Sequence, residues 1–212
     1  MNFSRMEGTR DAYGRTLAEL GHEDSRIVVL SADLSGSTKT AAFAQAFPDR
    51  FFNMGVAEAN MIGTAAGLAM SGYRPFASTF AVFATGKVWE QIRQVVAYPN
   101  VPVRIVATHA GLTVGEDGAS HQMLEDLALM RVLPNMRGVV PSDATEAAAV
   151  TRFAASSDDG PIYVRLARAA FPVLHEDGVS FRLGHAERLV TGTDVTIVAC
   201  GIMVSVALEA SE

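Results

Sequence analysis

Short apolar segments with the composition of buried β-strands alternate along this chain with longer segments of helical periodicity. Strands are predicted at 26–31, 101–108, 138–140 and 161–166. These segments are apolar nearly throughout, which is typical of strands whose sheet is covered by helices on both faces. Helices are predicted at 10–20, 58–70, 86–96, 121–131 and 144–155. The alternation predicts an α/β fold, with a parallel sheet wrapped by helices.

The pattern lapses into a polar stretch at 175–189 and then starts again. Residues 194–200, DVTIVAC, predict a strand, and a helix is predicted to begin near Ile202. One strand and one helix cannot bury a core of their own. We therefore predict a domain over 1–175, a linker over 176–190, and the incomplete start of a second domain over 191–212.

Charge and cysteine usage exclude several classes of protein. The formal net charge is −6, which argues against a nucleic-acid surface. The single cysteine, Cys200, cannot form an intrachain disulfide, and no zinc-ligand spacing is present. The first residues lack the apolar segment of a signal peptide, and the longest apolar stretch, 195–208, is shorter than the roughly 20 residues of a membrane span. These features predict an intracellular, cytoplasmic protein that binds neither nucleic acid nor membrane.

The loops at the carboxyl ends of the strands are the expected positions of a binding site in a parallel sheet. They are 32–38, 79–83 and 109–121. The last reads HAGLTVGEDGASH, with His109, His121, Glu116 and Asp117. Imidazoles beside a carboxylate can hydrogen-bond a hydroxylated substrate and shuttle its protons. A solvated surface turn has the same composition, and a His/Asp/His metal site would lack a convincing fourth ligand.

Glu58 is the only charged residue between Arg50 and Arg74. A carboxylate at a helix start is favoured by the helix dipole, which is a purely structural explanation. Small apolar residues surround it in NMGVAEANMIGTAAGLAM, however, and a buried carboxyl group has a raised pKa and is a functional candidate. Phe80 and Phe83 end an apolar segment, where they either pack in the core or stack on a planar cofactor.

Three further features could bind anions. Arg168 follows a predicted strand, where its guanidinium could fork onto a phosphate, and Arg10 lies near the start of the first helix. Asp33 and Ser37 belong to ADLSGST, a small polar loop that could offer backbone N–H groups. Each of these features also has an ordinary structural explanation, as a surface arginine or a turn.

Taken together and in order, these segments resemble the pyrimidine-binding domain of transketolase. The segments are TRDAYG, ADLSGST, FFNMGVAEANMIGTAAGLA, FASTFAVFATG, THAGLTVGEDGASHQ with LEDLALMRVLPNM, and PIYVRLAR. They span about residues 8–175, and they resemble most closely the C-terminal (β) subunit of split bacterial transketolases. Residues from about 190 resemble the start of that family's C-terminal α/β domain.

The resemblance implies a thiamine diphosphate-dependent enzyme, in which the cofactor stabilises a carbanion. It implies that Glu58 hydrogen-bonds the aminopyrimidine ring and that Phe83, with Phe80 beside it, stacks on that ring. Asp33 matches an aspartate near the cofactor. The residues implied to hold sugar hydroxyls are His109, Asp117 and His121. Those implied to hold the sugar phosphate are Arg10, Ser37 and Arg168.

The resemblance also implies a partner. The sequence lacks GDG followed by a downstream asparagine, the family's site for Mg²⁺ and the diphosphate, so we expect a separate N-terminal subunit to carry it in an α₂β₂ assembly. The expected reaction is transfer of a two-carbon ketol unit from a ketose phosphate to an aldose. Gly86 stands where a tyrosine is common in the family, so part of the pyrimidine pocket is expected to differ.

Two alternatives remain open from the sequence. The first keeps the cofactor: a β subunit of a 2-oxo acid dehydrogenase, or an enzyme like deoxyxylulose-phosphate synthase. These enzymes decarboxylate an oxo acid and have less need of the His109 and His121 pair. The second is a non-catalytic α/β binding module, in which the acid and the histidines are structural.

Overall fold

The computed structural model of the chain describes residues 5–175 and 178–212. The strands are β1 (Met6–Gly8), β2 (Ile27–Ser31), β3 (Phe51–Asn53), β4 (Arg74–Phe80), β5 (Arg104–Thr108), β6 (Arg137–Val139), β7 (Ile162–Arg165) and β8 (Ala170–Pro172). The α-helices are α1 (Thr9–Glu23), α2 (Ser35–Thr38), α3 (Ala41–Ala46), α4 (Glu58–Met70), α5 (Trp89–Gln91), α6 (Asp126–Arg131), α7 (Ala144–Ser156) and α8 (Met203–Ala210). Two π-helical segments flank α5, at Val82–Lys87 and Ile92–Ala97, and 3₁₀ turns lie at Pro48–Arg50 and Gly115–Asp117.

Six of these strands form one sheet in the order β3-β2-β4-β5-β7-β6. Every neighbouring pair in this sheet is parallel. Strands β1 and β8 form a separate antiparallel pair. Because all six strands run the same way, their carboxyl ends meet at one edge of the sheet, which is where loops can build a site.

Helices cover both faces of the sheet. Successive residues of a strand point to opposite faces, so each strand contributes side chains to a core on either side. Ile105 belongs to a core cluster with residues of α4, and the next residue, Val106, belongs to a second cluster with residues of α1 and α7. Asp143 caps the start of α7, accepting a hydrogen bond from the backbone N–H of Glu146 at 2.7 Å. The predicted α/β fold with a helix-wrapped parallel sheet is confirmed.

Several element boundaries differ from the prediction. Strands β1, β3, β4 and β8 were not predicted, and Pro75 explains the omission of β4, since proline within an apolar run argues against a strand. The helix predicted at 121–131 begins only at Asp126, because Met123 forms an antiparallel bridge with Gly111. The expected loop at 79–83 is the end of β4 and the start of a π-helical segment, and the loop at 32–38 contains α2.

The prediction of a strand at 194–200 is wrong. The structure has no strand there, and no strand among the described residues lies beside it to accept its hydrogen bonds. The side chains of an unpaired strand remain in solvent, and Val195 and Val198 are 77% and 89% exposed. The helix predicted near Ile202 is present as α8, and the N–H of Gly201 just before it donates to the carbonyl of Val140 at 3.3 Å. The assignment of 191–212 to a second domain stays a prediction.

The contact of His175 with Asp143 predicts a pH dependence of stability. Burial lowers the pKa of His175, but the carboxylates of Asp143, at 3.0 Å from Nδ1, and Glu187 outweigh it and raise that pKa above 6.5. The stabilisation that this contact gives the folded chain is therefore complete at pH values below the pKa of the histidine in the unfolded chain, about 6.5. It is lost as the pH rises through the higher pKa of the histidine in the folded chain. We expect the free energies of unfolding of the wild type and of His175→Gln, measured in urea between pH 5 and 9, to differ less as the pH rises. A difference that is constant across this range would contradict the contact.

Candidate active site

The site lies at the carboxyl edge of the sheet, where β4 and β5 end side by side. Phe80 is the last residue of β4 and pairs with Thr108, the last residue of β5. His109 follows directly, so its ring stacks on Phe80, with 3.8 Å between ring centroids and 23° between the planes. Adjacent parallel strands thus bring together two side chains that are 29 positions apart in the sequence.

Four rings form an aromatic cluster at this edge. Phe83 lies nearly parallel to Phe80, at 12° and 6.1 Å. His121 places its edge against both phenylalanines, at 5.6 Å from Phe83 and 6.2 Å from Phe80. The structure therefore brings together the two phenylalanines and two histidines that the sequence singled out, with Phe80 and His109 buried and Phe83 and His121 half-buried.

Glu58 is the first residue of α4 and is 1% exposed, as its apolar setting predicted. The positive end of the helix dipole favours a carboxylate here. Its Oε2 accepts a hydrogen bond from Lys87 Nζ at 2.5 Å, and that ammonium also lies 5.9 Å from the centre of the Phe83 ring. Sequence reasoning missed Lys87, because the ion pair joins residues 29 positions apart in two different helical segments.

His109 is 2% exposed and is held in a left-handed backbone conformation, with φ at 61°. Strained backbone of this kind concentrates at functional sites. Burial, with a further contribution from the positive charge of Arg10, lowers the pKa of His109 to about 4, so the ring is neutral at pH 7. Its Nδ1 lies 2.8 Å from Thr108 Oγ1 and its Nε2 lies 4.0 Å from Asp117. A neutral imidazole can both donate and accept a hydrogen bond.

A cationic group adjoins the histidines. Arg168 pairs with Glu116 at 2.5 Å and with Asp117 at 3.5 Å, which links it to the His109 side of the site. Arg10 donates to the backbone carbonyl of Ser37 at 2.9 Å, and its Nε is buried without a hydrogen-bond partner among the described residues. Burial lowers the pKa of Arg10. An unpartnered buried donor beside a second guanidinium fits an anionic ligand.

Asp33 follows β2 at the same edge of the sheet. Its Oδ1 accepts a hydrogen bond from Asn53 Nδ2 at 2.9 Å, and its backbone is left-handed, with φ at 60°. Asn53, at the end of β3, is another residue that the sequence analysis did not identify.

Two features are absent from the part of the chain that the structure describes. No group of three or more His, Cys, Asp or Glu side chains in 5–175 and 178–212 is arranged to hold a metal ion. No helix in this part of the chain is long and apolar enough to cross a membrane.

The fold and site define a class of protein: an α/β domain that presents a buried glutamate and an aromatic face at the carboxyl edge of a parallel sheet. The family described as "Transketolase, pyrimidine binding domain" matches residues 6–173. The chain therefore belongs to the transketolase family, as its motifs predicted.

Similar proteins include several subunits and sections of transketolases. A transketolase C-terminal section of Methanocaldococcus jannaschii is 54% identical over 97% of this chain and 66% of its own length. The 6-deoxy-6-sulfo-D-fructose transketolase subunit SqwH of a Clostridium species is 42% identical over 96% of this chain and 63% of its own length. A solved structure described as a split gene transketolase, inactive beta4 tetramer, is 56% identical, with a TM-score of 0.87 over 96% of this chain and 65% of that one. The chain thus spans just under two thirds of the length of these relatives.

Proposed function

We propose that this chain supplies the pyrimidine side of a thiamine diphosphate site in a two-subunit transketolase. The observation that carries the proposal is the buried carboxylate of Glu58 beside the aromatic face of Phe83, at the edge where parallel sheets bind ligands. These groups suit a planar ring that has a nitrogen able to share a proton.

When bound, thiamine diphosphate supplies an electron sink for cleaving a carbon–carbon bond beside a ketone. Within this chain, Glu58 holds a proton at the pyrimidine nitrogen, because a carboxyl group shielded from water exchanges that proton with the ring rather than with solvent. Phe83 supports the ring by stacking, and Phe80 fixes the position of Phe83. Asp33 is assigned to the cofactor's surroundings, held by Asn53.

The histidines and arginines are assigned to the sugar substrate. His109 is neutral and can hydrogen-bond a hydroxyl group in either direction, with Asp117 and His121 on the same loop. Arg10 and Arg168, with the Ser37 turn, are assigned to the phosphate of a sugar phosphate. An incoming phosphate would compete with Glu116 for the guanidinium of Arg168, and as a dianion it is the stronger partner.

The diphosphate and Mg²⁺ are assigned to a separate N-terminal subunit, in an α₂β₂ assembly. The relatives described as a C-terminal section, a subunit and a split gene product support such a division. Helix α4, which begins with Glu58, also exposes Gly63, Gly67 and Met70, and the space around the two glycines is open. Small residues allow close approach of another backbone, so the partner could pack against the helix that carries the proposed catalytic acid.

The proposed reaction is tested with the chain assembled with a subunit that carries GDG and a downstream asparagine. We expect this enzyme to consume a ketose phosphate and to transfer its two-carbon unit to an aldose. Consumption of pyruvate without consumption of ketose would favour the oxo-acid alternatives. Unchanged thermal stability of the assembly with thiamine diphosphate and Mg²⁺ would favour the non-catalytic module, because a ligand at 100 times its Kd adds about 2.7 kcal/mol.

The phosphate assignment makes a specific prediction for Arg168→Ala. Loss of a charge-assisted hydrogen bond, about 1.5–3 kcal/mol, should raise KM for a phosphorylated acceptor roughly 10- to 100-fold. KM for an unphosphorylated aldose of the same stereochemistry should change less than about twofold, since it has no group to lose. Arg131→Ala, at an exposed position on α6, serves as the matched control. Equal changes in KM for both acceptors would contradict the assignment.

A further inference from the structure

Lys87 is the cation that pairs with the proposed catalytic acid. Its Nζ donates to Glu58 Oε2 at 2.5 Å. The two partners differ in their surroundings, because the carboxylate side chain is 1% exposed and the lysine side chain is 50% exposed. The lysine therefore reaches the buried acid from the solvent side of the site, and it can withdraw without disturbing the core.

The charge balance explains why the free chain needs this contact. A buried carboxylate without a partner is costly, and breaking a buried pair by removing one member destabilises a protein strongly. The sequence contains only two lysines, Lys39 and Lys87. Lys39 pairs with Asp11 at 2.9 Å, and both of those side chains are substantially exposed. Lys87 is thus the lysine that neutralises a buried charge.

The same ammonium also lies over an aromatic face. Lys87 ends the π-helical segment Val82–Lys87, and its Nζ is 5.9 Å from the centre of the Phe83 ring. A Cβ built on the neighbouring Gly86 would meet only the tip of Met123 among the described residues, at 3.8 Å, so the space beside the lysine is open. The lysine therefore contacts the two groups, the carboxylate and the ring, that the proposed function assigns to the pyrimidine.

We propose that Lys87 is a displaceable internal ligand of the pyrimidine site, which holds Glu58 in the free chain and leaves it when the cofactor's aminopyrimidine binds. This inference rests on the proposed function. The ammonium lies against the carboxylate and over the Phe83 ring, which are the two groups proposed to hold the pyrimidine, so the lysine and a bound pyrimidine compete for the same space. Competition with an internal group lowers the apparent affinity for a ligand by the fraction of molecules in which the site is free. Removing Lys87 should consequently weaken the free chain and tighten cofactor binding.

The first test measures the ion pair in the chain without cofactor. Lys87→Met keeps the length of the side chain and removes its charge, and we expect it to lower Tm by about 5 °C. In the Glu58→Gln background the same substitution should shift Tm by less than about 1 °C, because the charge to be compensated is gone. Equal shifts in both backgrounds would overturn the pairing. Lys39→Met, which breaks an exposed pair, is the control and should change Tm little.

The second test measures affinity for thiamine diphosphate, by calorimetric titration of the chain assembled with its diphosphate-binding subunit at saturating Mg²⁺. We expect Lys87→Met to lower the Kd about tenfold, and Lys39→Met to leave it unchanged. An unchanged or raised Kd in Lys87→Met would overturn the inference while leaving the proposed function intact. Absence of cofactor binding in the wild-type assembly would overturn the proposed function, and this inference with it.

Discussion

Glu58→Gln should lower kcat for ketol transfer at least 1000-fold at saturating thiamine diphosphate, equivalent to about 4 kcal/mol of transition-state stabilisation. Glutamine keeps the size of the side chain and one hydrogen-bonding oxygen, so α4 and the packing around its first turn should persist. It cannot take up and release a proton, which is the role proposed for this carboxyl group. The measurement is the rate of ketose consumption by the assembled two-subunit enzyme.

The matched control for this variant is Glu90→Gln. Glu90 lies in α5, close in sequence to Lys87, but it is exposed. Its substitution removes the same charge from the chain and should leave kcat within about twofold. Turnover near the wild-type level in Glu58→Gln, with cofactor saturating, would contradict the assignment of Glu58 as the catalytic acid.

Arg104→Leu should lower the free energy of unfolding by about 3–5 kcal/mol. Arg104 begins β5 and is 1% exposed. Its guanidinium donates to the carbonyls of Ala154 and Ser157, at 2.9 and 2.5 Å, and to the Asp158 carboxylate at 2.9 Å. It thereby satisfies carbonyls that have no partner within the last turn of α7, and leucine would leave these acceptors buried and unpaired. Urea unfolding of the two proteins gives the difference.

Arg152→Leu is the control for the loss of an arginine. Arg152 pairs with Glu19 and Glu23, but all three side chains are about half exposed. Exposed ion pairs contribute about 0–1 kcal/mol, so this substitution should cost far less. If Arg104→Leu and Arg152→Leu lowered the free energy of unfolding equally, the structural role of Arg104 would be wrong.

The central strands and long helices could be predicted from the sequence because each is a strong periodic pattern. Helix α4 was predicted with the bounds that the structure shows. The short strand β3 has only three residues, too few for a periodic signal, and it exists because the neighbouring β2 supplies its hydrogen bonds. The strand predicted at 194–200 fails for the opposite reason: its pattern is apolar, but it has no neighbouring strand among the described residues to supply hydrogen bonds.

The candidate site could be predicted in part. Phe80, His109 and His121 were singled out from strand ends and loop composition, and parallel pairing of β4 and β5 explains why they meet. Their roles toward a cofactor or sugar came from the family resemblance, and these roles stay predictions. Lys87 could not be identified as the partner of Glu58, because the contact joins two helical segments 29 residues apart. Composition carries no signal for such a pairing.

Ketol transfer by this chain, with and without its partner, is the decisive measurement for the proposed two-subunit site. The chain, purified alone, is supplied with thiamine diphosphate, Mg²⁺, a ketose phosphate and an aldose, and then with an added subunit that carries GDG and a downstream asparagine. A site divided between two subunits predicts no turnover by either subunit alone, turnover by the mixture, and loss of that turnover in Glu58→Gln. Turnover by this chain alone, or a mixture that binds the cofactor but leaves the ketose unchanged, would contradict it.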